Sequence, residues 1–311
     1  MSDNNQRVSR SRSWLRNLAR NPVTVKELRS RMRGQRAFLL MTAYLLLMGG
    51  LIFTVYLAYV ASSGNNFGPS NRQAGKAVFT AVLLVQVILV LFIGPTFTSA
   101  AIVGEKERQT YDLLRTTLLP ARSLVTGKLL SSLSYIYLLI IVSIPLQGIA
   151  FLLGGISPIE LLLSQFLILI SAITFALIGL YISTVLRSTL TASLTTFAVA
   201  FTLTFGTPIV AALITSILGP VLFGPSTPAW PVQIMLIYGG LLLAATNLPA
   251  TLVISDLFLV EQDALVYFTD FIDGRLAYIW SPWLIYVILY ILLGIFLYWA
   301  CIRRIKRVAR K

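Results

Sequence analysis

The 311-residue sequence contains no histidine and only one cysteine, Cys301. Without imidazole, His-based acid/base catalysis and His-ligated metal sites are excluded. A lone cysteine can form neither an intramolecular disulfide nor a thiolate cluster. Charge is also scarce: 12% of the residues are charged, about half the share found in soluble domains. A phosphate-binding loop is missing as well. The Gly-Lys pairs, Gly75-Lys76 and Gly127-Lys128, neither follow P-loop glycine spacing nor lead into Ser or Thr. The chain is therefore expected to be no enzyme, to carry no cofactor or metal of its own, and to hydrolyse no ATP by itself.

What remains is overwhelmingly apolar, with 57% hydrophobic residues and a mean hydropathy of +0.83. Seven runs carry no Asp, Glu, Lys or Arg: 38–60, 77–103, 129–153, 161–186, 190–217, 232–255 and 283–302. Each is near the roughly 20 residues that a helix needs to cross the hydrocarbon layer, and about twice the length of a barrel strand. The expected fold class is an all-α integral membrane protein. The basic head is not expected to be a cleaved signal, because the first apolar run begins late and is too long for a signal core.

The net charge of +14 is explained by membrane sidedness without invoking nucleic acid. Of 25 basic residues, 22 lie in residues 1–36, the 104–128 connector, the turn at Arg187 and the tail after Ile302. Placing these in the cytoplasm puts both termini inside the cell (inner) membrane and requires an even number of crossings. The run 232–255 is the one expected not to span, because it follows a Pro- and Gly-rich segment and is broken at Gly239-Gly240 and Asn247-Leu248-Pro249. A re-entrant hairpin and a membrane-surface helix, both on the outer side, remain open, as does a true crossing. The expected organisation is a basic head over 1–36, a six-span transmembrane domain over 37–302 and a basic tail over 303–311.

Within the head, Asn21 suits an N-cap and Pro22 a first helical position, with Val25, Leu28 and Met32 on one face. This predicts an amphipathic interfacial elbow helix that contacts the lipid bilayer. The connector GEKERQTYDLLRTTLLPAR, residues 104–122, mixes acids with bases. Helical spacing puts Tyr111, Leu114 and Leu118 on one side and Arg108, Asp112 and Arg115 on another, and Pro120 ends the pattern. Either a short helix across the inner face from Glu105 to Leu118 or a solvated loop with local ion pairs satisfies it. The spans offer Gln86, Gln147 and Gln165 but no Asp, Glu, Lys or Arg. Ion-coupled carriers usually retain such a charge at mid-membrane, so this mechanism is disfavoured and energy is expected to arrive from another subunit. The helix-breaking signals at Gly94-Pro95, Pro145 and Gly206-Thr207-Pro208 read as kinks packed on neighbours.

These residues resemble the membrane subunit of an ABC-2 type ABC transporter. The likeness lies in the elbow motif N-P-x-x-x-K-E-L at Asn21 to Leu28. It lies also in the pattern after the second span, formed here by Gly104, Glu105, Glu107, Thr110, Leu113, Leu114, Pro120, Gly127, Lys128 and Leu129. The turn STVLRSTLTAS from Ser183 to Ser193 and the outer Asn247-Leu248-Pro249 are similar too. Gln109 departs from the pattern, which usually has Gly before the Thr. The resemblance implies a cytoplasmic coupling helix docking into a separate ABC ATPase subunit that binds ATP and Mg, with Glu105, Glu107, Arg108, Thr110, Tyr111, Leu114 and Arg115 in contact. The elbow residues Glu27, Leu28 and Met32 would lie nearby, and two permease subunits would pair as a homo- or heterodimer. The function implied is a permease, by family tendency an exporter. A non-transporting anchor that recruits a cytoplasmic partner is the alternative, and an intramembrane enzyme built on Asp256, Glu261, Asp263, Asp270 and Asp273 is the least supported reading.

Overall fold

A computed structural model describes residues 35–63, 70–109, 120–222, 229–272 and 274–308. The elements in order are α1 (Gln35–Ser63), α2 (Ser70–Ser99), the single turn α3 (Val103–Glu107), α4 (Ala121–Leu152) and α5 (Pro158–Val185). Then come α6 (Thr189–Phe201), a π-helical turn (Thr202–Gly206), α7 (Thr207–Leu222), α8 (Trp230–Ala244), α9 (Leu248–Gln262), the strands β1 (Tyr267–Ile272) and β2 (Arg275–Trp280), and α10 (Pro282–Val308). Six helical segments are long and apolar enough to cross a membrane: α1, α2, α4, α5, α6 continuing into α7, and α10. The protein is thus an all-α membrane protein of six candidate spans, as its apolar runs predict. The elbow residues Glu27, Leu28 and Met32 lie outside the described residues.

Helix α5 is the axle of the bundle. Of its most apolar stretch 67% is buried, against 17% for α1 and 11% for the α6–α7 span, which present their side chains at the rim. Its start is fixed by a capping box: the Ser157 hydroxyl accepts from the Glu160 amide while Glu160 accepts from the Ser157 amide, with Pro158 in the first turn. Small residues then let neighbours close in. A Cβ on Gly179 would clash with Thr98 of α2, and one on Gly155 would clash with the Lys76 amide.

Inside the bundle, Gln86 of α2, Gln147 of α4 and Gln165 of α5 close on one another. Gln147 Nε2 donates to Gln86 Oε1 at 2.9 Å, and Gln165 Nε2 donates to Gln86 Oε1 at 3.1 Å and to Gln147 Oε1 at 3.0 Å. Gln86 also donates to the Ser143 hydroxyl. All four side chains are buried. The span glutamines therefore act as interhelical glue, which satisfies amides that would otherwise stand unpaired in hydrocarbon.

Two boundaries and one element differ from expectation. Helix α2 begins at Ser70 rather than near residue 77, so Arg72 and Lys76 sit on its first two turns. Helix α10 continues to Val308, so Arg303, Arg304 and Lys306 of the basic tail are helical. The acid-rich stretch before α10 contains an antiparallel hairpin, with Tyr267 opposite Trp280 and Ile272 opposite Arg275. Gly274, at φ 73°, takes the left-handed conformation that its tight turn demands.

Candidate functional site

At the end of the bundle that carries Arg303 and Arg304 of α10, the chain leaves α2 and forms α3. The backbone amides of Ile102 and Val103, which open this turn, donate to the Ser183 hydroxyl at 2.9 and 3.0 Å. A helix start leaves such amides without intrahelical partners, and here α5 supplies the acceptor. Lys106 reaches back in the same direction. Its ammonium donates to the carbonyls of Ser183, Thr184 and Leu186 at 3.3, 2.8 and 3.3 Å, a cation set at the carbonyl end of α5.

The two acids of the connector are also engaged within the chain. Glu105 Oε1 lies 2.7 Å from Lys128 Nζ, and that buried ammonium donates at 2.6 Å to the Ala101 carbonyl. Glu107 Oε1 accepts from the Thr189 amide at 2.7 Å, and its carboxylate takes the Thr189 hydroxyl at 2.9 and 3.2 Å. The N-cap of α6, Ser188, makes no side-chain cap of its own. Glu107 therefore caps α6 from a distant part of the chain, with its negative charge at the positive end of the helix. The Ser99 and Ser193 hydroxyls join the same two segments at 3.0 Å.

Helix α3 stops at Glu107. Arg108 is its C-cap, and Gln109 has φ 58° in the left-handed region. An unbroken helix from Glu105 to Leu118 is thus corrected to a turn ending at Glu107, because a left-handed residue cannot lie inside a right-handed helix. Of the residues expected to meet an ATPase, Glu105, Glu107 and Arg108 are described, and Arg108 is exposed. Thr110, Tyr111, Leu114 and Arg115 lie outside the described residues.

The run 232–255 forms α8 and α9, each of 15 residues. At 1.5 Å per residue each is about 22 Å long, short of the roughly 30 Å hydrocarbon layer. The bend between them inserts among the spans: Tyr290 Oη donates to the Thr246 carbonyl at 3.0 Å. Asn247 is held at the tip. Its Oδ1 caps α9 by accepting from the Ala250 amide at 3.0 Å, while its Nδ2 donates to the carbonyls of Leu203 and Thr204 at 3.1 and 2.5 Å and to Thr207 Oγ1 at 3.2 Å. Pro208 has no N–H to offer either carbonyl, so the side-chain amide of Asn247 satisfies the break that Gly206-Thr207-Pro208 makes in the fifth span.

A family model described as ABC-2 family transporter protein matches residues 22–300. The chain belongs to that family. No curated protein matches it. Membership in the ABC-2 family makes this a multi-pass permease subunit of an ABC transporter, a class that works with a separate ATPase. The departure at Gln109 gains a physical meaning here. The position that usually holds Gly in the ABC-2 pattern is the one with positive φ, where Gly is unstrained and other residues are not. Sequence reasoning missed Lys106, Lys128, Ser183 and Thr189 as the partners that fasten the connector. Their bonds span from 23 to 82 residues of chain, beyond the reach of local periodicity.

Proposed function

We propose that this permease exports its cargo, driven by a separate ATPase that binds ATP and Mg and docks on the cytoplasmic face around residues 104–119. In this reading both termini are cytoplasmic, the membrane is the cell's inner membrane, a second permease subunit completes the pathway, and the α8–α9 hairpin enters from the outer side. The carrying observation is the fastening of the 99–107 segment. Bonds to Lys128 of α4, to the end of α5 and to the start of α6 mean that a displacement applied there is delivered to four helices at once, α2 included. Packed elements transmit such displacements because they have discrete arrangements rather than soft ones.

The fastening also dictates the test. Because Glu107 caps α6, changing it disturbs the fold and docking together. Arg108 is exposed, and Leu114 is the central of the three apolar residues, Tyr111, Leu114 and Leu118, that the sequence puts on one side of the connector. Reconstitution of the full chain with its cognate ATPase in liposomes, with Arg108→Glu and Leu114→Asp, is expected to lower membrane-coupled ATP turnover by about thirtyfold while membrane insertion stays normal, since a central interface anchor is worth about 2 kcal/mol. Full coupled turnover in both variants overturns the docking assignment. Undiminished ATPase recruitment without any vectorial movement of cargo would make the chain an anchor instead.

A further inference from the structure

At the opposite end of the bundle from Lys106, three charges from distant parts of the chain converge. Lys76 Nζ lies 3.1 Å from Glu160 Oε2 and 2.5 Å from Asp256 Oδ1. They come from the second turn of α2, the first turn of α5 and the middle of α9. Gly155 admits the α2 backbone so closely that the Lys76 amide would clash with any Cβ there, and Glu160 is fixed by its capping box. Two carboxylates face one ammonium, so the cluster is one positive charge short. Burial pushes the Asp256 carboxyl above the usual carboxylate range; Lys76 opposes that shift and Glu160 adds to it.

The two acids also line a cavity of about 80 Å³ between α2, α5 and α9, enough for several water-sized groups. Its walls are otherwise mostly apolar, including Phe79, Leu83, Val87, Leu163, Leu167 and Leu252, with the Thr80 and Ser164 hydroxyls turned to backbone carbonyls of their own helices. Ser255 lines it too. Its hydroxyl is buried with no hydrogen-bond partner among the described residues, whereas its helix neighbour Thr251 bonds back to carbonyls. Leu84 and Val253 at the rim are exposed, so the cavity opens sideways, toward the lipid phase.

We propose that this cavity binds the primary ammonium of an amphiphile, with its apolar tail against α2, α5 and α9, its N–H groups on Glu160, Asp256 and the Ser255 hydroxyl, and its charge completing that of Lys76. A desolvated ammonium needs several acceptors and compensating charge, and the cluster offers both. An inorganic cation would need a closed shell of oxygens, whereas here the polar groups lie among mostly apolar walls that suit an alkyl tail. An aminophospholipid headgroup and a free amphiphilic amine share this chemistry. The site rests on the permease reading only for its use as a cargo or acceptor site; binding itself requires no ATPase, so the two ideas fail separately.

The test uses the full chain in nanodiscs of phosphatidylcholine, with thermal unfolding followed by tryptophan fluorescence. Decylamine is expected to raise the unfolding midpoint saturably, while decanol and sodium chloride leave it unchanged. Asp256→Asn and Glu160→Gln should each raise the half-saturating decylamine concentration about tenfold, the loss of one charged partner. Lys76→Gln should lower it, because a competing ammonium is removed; this variant keeps the test decisive even where an acid variant folds poorly. Phosphatidylethanolamine in the discs identifies a lipid headgroup as the natural occupant if it suppresses the decylamine effect, and a free amine if it does not. An equal shift with decanol or with salt alone, or unchanged half-saturation in all three variants, overturns the proposal.

Discussion

Asn247 shows how much one side chain can hold when backbone is broken inside a membrane. Its amide end satisfies two span carbonyls and its carbonyl end caps α9. Asn247→Ala is expected to destabilise the protein by about 2–4 kcal/mol, the sum of unsatisfied buried acceptors and a lost cap. Asn247→Asp keeps the cap but turns an acceptor toward those carbonyls, so it should be no better tolerated; thermal unfolding in detergent measures both. Gln109 is the opposite case, a residue at odds with its backbone. Left-handed φ costs a non-glycine about 1–2 kcal/mol and glycine loses about 0.5–1 kcal/mol of chain entropy. Gln109→Gly should therefore stabilise slightly, whereas Gln109→Val, β-branched, should destabilise, and the order Gly, Gln, Val in midpoint temperature checks the conformation.

At the scale of elements, what was legible in the sequence follows the range of the forces involved. The spans were readable because an apolar helix in lipid satisfies its own backbone and needs only length and composition. The failure of 232–255 to form one spanning helix was readable from Asn247-Leu248-Pro249, a local stop. The β-hairpin does carry a local signal: Asp273-Gly274 separates two six-residue stretches rich in aromatic and β-branched residues, a two-residue turn pattern. Acids scattered over the segment break the apolar alternation that marks a strand. The connector was legible in position but not in its bonds. Glu107 looked like a docking residue, yet its partner Thr189 is 82 residues away, and only folding of α5 against α2 brings them together. Glu107→Ala should cost about 1 kcal/mol as a lost helix cap, and Thr189→Val should be milder because the backbone amide still donates. Hydrogen exchange at the start of α6 should rise more in the first variant than in the second. Equal protection of α6 in wild type and Glu107→Ala would show that the cap is not formed in the membrane.

For the molecule as a whole, the proposed function turns on sidedness, and charge is what supports one orientation over the other. Lys106, Lys128, Arg187, Arg303 and Arg304 gather at one end of the bundle. At the other end Lys76 is held in a cluster with two acids, and Arg275 is placed over the Trp230 ring. The positive-inside bias acts on basic residues and hardly on acids, and under the proposed function it puts the first end in the cytoplasm and the β-hairpin outside. In that orientation the six candidate spans would bring both chain ends back to one side, with two shorter apolar helices between the fifth and sixth. Single cysteines test this directly, because the native Cys301 is buried and should not react with a charged, membrane-impermeant maleimide. Thr269→Cys, on the exposed face of β1, is expected to label in intact cells. Lys306→Cys, exposed on the last turns of α10, should label only after the membrane is opened. If Lys306→Cys reacts from outside while Thr269→Cys does not, the whole bundle is inverted: the basic end cannot meet a cytoplasmic ATPase, and the ammonium cavity would face the inner leaflet.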